Sequence, residues 1–342
     1  MIKTALENKL GALKIAGTVS SISDNAFFTI YRVMFNADIT INRIKARRGD
    51  LELFFGGSAV DIETDGGDVL LKVAKQARGV IGVYDFTCDI VDGIQGQTLP
   101  LIIGQKENGT RLYYDLCKMP HMLVAGSTGS GKSVFLHNCI LSTIYSAKSS
   151  LVLIDVKRVE FAIYEGIPHL AAPICYDAST AAATLKKLCD VMSTRYEELK
   201  NNKCRNIQEL HARGGDMQYI TVFIDELADL ILNNKRVEHY IIRLAQLGRA
   251  AGIHLVVATQ RPDAQILSGL IRINIPTRVC FAVQKATDSR IILDTNGGES
   301  LRGAGDGLFY PIGAQTATRF QCPYITTQGL EKVVEIARHC ND

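Results

Sequence analysis

No C-x-x-C pair occurs in the chain, and its nine cysteines are scattered: Cys88, Cys117, Cys139, Cys175, Cys189, Cys204, Cys280, Cys322 and Cys340. An odd number without paired spacing argues against a zinc site or a disulfide framework, so reduced thiols in a cytoplasmic protein are expected. No apolar run approaches the roughly 18 residues of a membrane span. Met1 to Gly11 lacks the charged-then-apolar order of a secretory signal. Net charge is scarce as well. A value of +3 does not announce nucleic-acid binding, so any such claim rests on where the charges lie. There is no internal repeat and no low-complexity segment. What remains is an ordinary globular composition, 47% apolar and 21% charged, over 342 residues. That length suits two folding units and an enzyme with a large core.

In chain order, residues 1 to about 25 are weakly patterned and read as a helix followed by a loose arm. The β-branched and aromatic density from Phe27 to Phe35 predicts a strand. Ile39 to Phe55 carries a rough apolar stripe, expected to be helical in part and interrupted at Arg47 to Asp50. Val60–Glu63 and Val69–Val73 flank Thr64-Asp65-Gly66-Gly67, a hairpin whose turn tolerates positive φ. A second hairpin, Leu99–Ile103 with Thr110–Leu116, leads on to residue 119. From there short apolar runs alternate with longer helical segments, the signature of an α/β fold with a parallel sheet. The expected strands are Met122–Ala125, Leu151–Ile154, Ile220–Ile224, Ile253–Ala258 and Arg278–Val283. The expected helices are Val134–Tyr145, Ala178–Lys200, Val237–Ala250 and a last one around Gln328–His339. The expected division is a small α/β domain over 1–98 and a nucleotide-binding domain over 99–342.

The chemistry centres on Gly126-Ser127-Thr128-Gly129-Ser130-Gly131-Lys132-Ser133, which fits the P-loop pattern G-x-x-x-x-G-K-S/T between a strand-like run and a helix-like one. Bare backbone N–H groups curl around phosphate there, and the following helix aims its positive end at the same anion. Lys132 is expected on the β- and γ-phosphates of ATP, and the Ser133 hydroxyl on Mg²⁺. The strand Tyr219–Ile224 ends in Asp225-Glu226. Asp225 is assigned to the metal and Glu226 to the base that deprotonates attacking water. Another strand ends in Thr259-Gln260-Arg261. In an open parallel sheet such ends face the ligand, so Gln260 is expected to report on the γ-phosphate. Asp155 and Lys157, at a further strand end, are given a supporting role. Arg249, near a helix C-terminus, either compensates the helix dipole or serves as an arginine finger for a neighbouring subunit.

The run from Lys118 to Ser133, with Tyr164–Leu170, Ile224–Leu230, Arg243–Pro262, Gly269–Arg278 and Asp288–Asp294, resembles the motor domain of the FtsK/SpoIIIE family of DNA translocases. The blocks are in family order across about residues 99–340, and residues 1–98 are only loosely similar to the small domain that precedes that motor. The resemblance implies a RecA-like P-loop ATPase core, assembled as a hexameric ring around double-stranded DNA and driven by ATP. It favours Arg249 as the finger in trans. It also implies DNA contacts at Arg261, Arg272 and Arg290, with Lys285 beside the place of a displaced family lysine, now Ala286. Such residues need only meet phosphates. The family's membrane-spanning region and winged-helix module are not in this sequence, so anchoring or orientation is expected to need a recruiting partner. Secretion or coupling ATPases that move protein are the competing class, and a nucleotide-dependent scaffold is a third. An intact set of Lys132, Asp225, Glu226, Gln260 and Arg249 argues against the scaffold.

Overall fold

The computed structural model describes residues 2–24, 27–75 and 81–339, so Cys340 and residues 25–26 lie outside the described residues. The chain divides into two compact units: residues 1–80 with 107–110, and residues 81–106 with 111–342.

The first unit comprises α1 (Ile2–Ala12), β1 (Gly17–Asp24), β2 (Phe28–Phe35), α2 (Ile41–Lys45), α3 (Arg48–Phe54), β3 (Val60–Asp65) and β4 (Asp68–Ala74). Its strands form one antiparallel sheet in the order β1-β2-β4-β3. The β3–β4 turn holds Gly66 at φ 60° and Gly67 at φ 95°, the left-handed pair that a two-residue hairpin demands. Residues 17–24 are not a loose arm but an edge strand paired with β2. Their pattern is faint because Val19 is the one buried position in β1. The helical break falls at Ala46-Arg47, beginning one residue earlier than the charged run suggests, and residues 48–50 already belong to the next helix. Leu6, Leu10, Val33, Leu51, Val60 and Leu71 form the centre of this unit's core.

The second unit comprises α4 (Tyr84–Asp92), β5 (Pro100–Lys106), β6 (Arg111–Asp115), β7 (His121–Ala125), α5 (Lys132–Ser146), β8 (Ser149–Ile154), α6 (Ala178–Asn201), α7 (Ile207–Ala212) and β9 (Tyr219–Ile224). It continues with α8 (Leu227–Asn233), α9 (Arg236–Leu247), β10 (Ile253–Thr259), α10 (Gly269–Asn274), β11 (Thr277–Phe281), α11 (Ala286–Leu293), β12 (Asp306–Tyr310), β13 (Thr318–Gln321) and α12 (Thr327–His339).

Its strands build a nine-stranded sheet in the order β6-β5-β13-β12-β11-β7-β10-β9-β8. The five from β11 to β8 run parallel, and the other four extend the sheet antiparallel. Every residue of β7, β9 and β10 is buried, as expected of strands covered on both faces. Alternate residues enter different cores. Met122, Val124, Phe223 and Val256 pack with Phe135, Leu136 and Ile140 of α5. Leu123, Val222, Ile224 and Leu255 pack with Leu185 of α6 and Ile241 and Leu244 of α9. Helices thus cover both faces, and the parallel strands present their carboxyl ends on one edge.

In the order of the chain β7 is the first of the five parallel strands, yet it lies inside the sheet between β10 and β11. Strand order reverses there, which opens a crevice at the carboxyl ends. Because β10 separates β7 from β9, its last residues stand between the P-loop and the acidic pair.

Candidate nucleotide-binding site

The loop 126–131 leaves β7 and enters α5 without a spacer. Gly131 sits at φ 110°, and a Cβ there would lie 2.5 Å from the Gly305 nitrogen. Gly126 is pressed as closely, since a Cβ would come within 2.6 Å of the Phe281 Cβ. The loop is also pinned from outside. Ser127 N donates to Ala282 O (2.9 Å), Gly126 N to Thr259 O (3.3 Å), and Gly305 N to Ser130 O (2.8 Å). The segment Gly303-Ala304-Gly305, all at positive φ, is therefore a second wall against the P-loop that sequence reading missed.

Lys132 opens α5 and is only 3% exposed. Its Nζ donates to Asp225 Oδ1 at 2.7 Å and to the Asp225 carbonyl at 2.9 Å. Burial raises the Asp225 pKa above the ordinary carboxylate value, Lys132 works against that shift, and the nearby Glu160 and Asp155 add to it. Ser133 Oγ donates to Glu160 Oε1 at 2.6 Å. His137, 3.5 Å from the other Glu160 oxygen, is the chief cause of a lowered Glu160 pKa. Glu160 has no motif in the sequence to mark it. Asp155, wholly buried, accepts from the backbone N–H of Lys157, Glu160 and Phe161, and so shapes the loop that delivers Lys157 and Glu160.

Glu226 is 2% exposed at the start of α8. Its Oε1 accepts from Thr259 Oγ1 (2.6 Å) and Gln260 N (3.2 Å). Its Oε2 accepts from Lys157 Nζ (3.1 Å) and Gln260 N (3.2 Å). Burial acts to lower the Lys157 pKa, but the bond to Glu226 and the surrounding carboxylates outweigh it and raise the value. Gln260 in turn accepts at Oε1 from Thr128 Oγ1 (3.0 Å), which ties the β10 end to the P-loop itself. Lys132, Ser133, Asp225, Glu226 and Gln260 thus gather at one edge of the sheet with all of 126–131.

Arg249 is not among them. It is exposed, and its carbonyl accepts from Gly252 N just before β10 begins. The seven residues of β10 separate that end from Gln260 by about 20 Å. Its charge is felt instead at His121 and His254, near the opposite ends of β7 and β10.

The four basic residues expected on DNA lie beyond β10. Arg261 and Lys285 are exposed and make no side-chain hydrogen bond or ion pair among the described residues. Arg290, exposed on α11, donates to Asn296 (2.8 Å). Arg272 is partly buried and donates to Asp294 at 3.3 Å, a carboxylate it shares with the buried Arg278.

Residues 95–264 match the family described as FtsK/SpoIIIE. The "DNA translocase FtsK" of Campylobacter jejuni is 36% identical over 97% of this chain, and the "DNA translocase SpoIIIE" of Bacillus subtilis 35% identical over 96%. The chain spans 36% and 44% of the length of those curated relatives. A solved structure of the pCW3 conjugation coupling protein TcpA, in monomer form with ATPγS, shares the fold at a TM-score of 0.70 and 24% identity. That match covers 98% of this chain and 99% of TcpA. No helix among the described residues is long and apolar enough to cross a membrane. A P-loop ATPase fold with its motif residues gathered at the carboxyl edge, matched in sequence over that same stretch, carries one conclusion: this chain has an FtsK/SpoIIIE-family domain over residues 95–264.

Proposed function

We propose that the chain is a Mg²⁺-dependent ATPase that drives double-stranded DNA through a ring, six copies in the family's manner, within the cytoplasm. The observation that carries this reading is the buried Lys132–Asp225 pair beside Glu226, with Gln260 bonded across to Thr128. Sequence identity to proteins named DNA translocases over nearly the whole chain supports the substrate.

In this reading the backbone N–H groups of 126–131 and the Lys132 ammonium hold the phosphates of ATP. Ser133 and Asp225 supply hard oxygen donors, a set that suits Mg²⁺, which takes one or two protein oxygens and completes its shell with phosphate and water. The bound ion would neutralise charge on the phosphate oxygens. Glu226 accepts a proton from water as the water oxygen bonds to the γ-phosphorus and the bond to the β–γ bridging oxygen breaks. Gln260, fixed by Thr128, stands where it can register the γ-phosphate. Arg249 lies the length of β10 away from the site of its own chain, and in this reading it completes a neighbour's. Arg261, Arg272, Lys285 and Arg290 meet DNA phosphates, which gives grip without reading bases.

The test is ATP turnover against duplex length at several protein concentrations. Turnover should rise several-fold with long duplex and rise further as protein concentration increases. A rate indifferent to duplex throughout low salt removes the DNA reading and favours a motor that moves protein.

A further inference from the structure

Glu226 has no vacant acceptor position. A carboxylate offers about four lone-pair sites, and here three donors make four contacts with them: Thr259 Oγ1 on Oε1, Lys157 Nζ on Oε2, and the one Gln260 N–H shared between both oxygens. A base in that state has no free lone pair for a water proton, so one donor must leave before it can act. The donors are not equally free to go. Thr259 is fully buried at the end of β10, and Gln260 N belongs to the backbone that continues it. Lys157 differs from both. Its side chain is 36% exposed, against 2% for Glu226, and its ammonium has a second carboxylate, Asp229, at 3.8 Å to receive it.

We propose that Lys157 is a positioning residue that holds Glu226 back from water, and that moving Lys157 toward Asp229 releases the base for hydrolysis. This deepens the ATPase reading above and rests on it. The same carboxylate is joined to the segment that carries Arg261. Thr259 Oγ1 donates its one hydrogen to Glu226 (2.6 Å) and accepts from Arg261 N (3.1 Å). A pull on Arg261 by a DNA phosphate therefore reaches Glu226 through two hydrogen bonds. DNA engagement is the event that shifts the balance from the Lys157 contact to the free base.

The experiment measures kcat and KM for ATP in the full-length parent, K157M and K157R, each with and without long duplex. K157M should raise kcat without DNA by about tenfold, the factor that one charge-assisted hydrogen bond is worth. It should leave KM within twofold and shrink the DNA stimulation ratio by the same factor. K157R, which keeps a cation at this place, should restore most of the parental ratio. If K157M does not fold, K157Q takes its place with the same expectations. Equal loss of kcat with and without DNA would mean that Lys157 acts on substrate directly, and unchanged kcat would mean that it holds nothing back. Either result overturns the proposal. A parent enzyme that DNA does not stimulate is a separate outcome: it sinks the DNA reading, while the rise in basal kcat still decides the role of Lys157.

Discussion

Lys132 and Asp225 form an ion pair from which water is all but excluded, the two side chains being 3% and 2% exposed. Removing one member of such a pair leaves the other's charge without compensation, at a cost of about 3–5 kcal/mol. Lys132→Met should therefore lose both nucleotide binding and stability at neutral pH, read by ATP-analogue titration and urea unfolding. Because burial already favours a proton on Asp225, the stability deficit should shrink as pH falls. Glu226→Gln should bind ATP and lower turnover by about 10²–10⁴, the usual contribution of a general base.

The buried pair His121 and His254 gives a different pH signature. Burial is the main cause that drops their pKa values to about 3 and about 4, so both stay neutral in the folded chain. Below about 6.5 the unfolded chain takes up protons that the folded one refuses. Stability then falls with pH from about 6.5 toward 4, by about 1.4 kcal/mol per pH unit for each histidine. Urea midpoints at pH 7 and pH 5 check this, and His254→Gln should flatten the slope.

Among elements, the parallel strands were the legible part of the sequence. All five were expected from their apolar runs, because burial on both faces leaves no polar alternation to confuse the pattern. The helices after the P-loop, before β9 and before β10 were equally plain. Short strands that are half polar were not. Asp306–Tyr310 and Thr318–Gln321 carry too few apolar residues to stand out, and β1 hides as an edge. The site divides in the same way. Gly126 to Ser133, Asp225, Glu226 and Gln260 sit at strand ends, where order in the chain predicts proximity in space. Glu160, and the ion pair of Lys157 with Glu226, depend on how one loop folds around the buried Asp155, which no spacing rule foretells. The Gly303–Gly305 wall is hidden for the same reason. Gly305 is held at φ 88°, with room for a Cβ only 2.7 Å from the Gln321 Nε2. Gly305→Ala should cost about 1–3 kcal/mol in stability. It should also weaken ATP-analogue affinity, because the Gly305 N–H bond steadies Ser130; thermal melts and titration read the two effects.

On the scale of the whole molecule, the separation of Arg249 from the P-loop of its own chain becomes an experiment in mixing. Arg249→Ala and Lys132→Ala should each be inactive alone, and a mixture should regain activity wherever an intact arginine meets an intact P-loop. Mixtures that stay silent while assembly persists would count against the finger. The proposed DNA contacts make a graded prediction. Arg261→Ala should lower duplex affinity and reduce the salt slope by about 1. Arg272→Ala should do less, since its guanidinium must first leave Asp294.

The two ends of β10 also restrict how copies can join. If Arg249 is the finger proposed above, it and the phosphate loop are unlike surfaces at opposite ends of β10, so each contact between copies would run head to tail and could not lie on a twofold axis. Repeating such a contact leaves two outcomes, closure into a circle or growth into an open helix, and the angle between successive copies alone decides which.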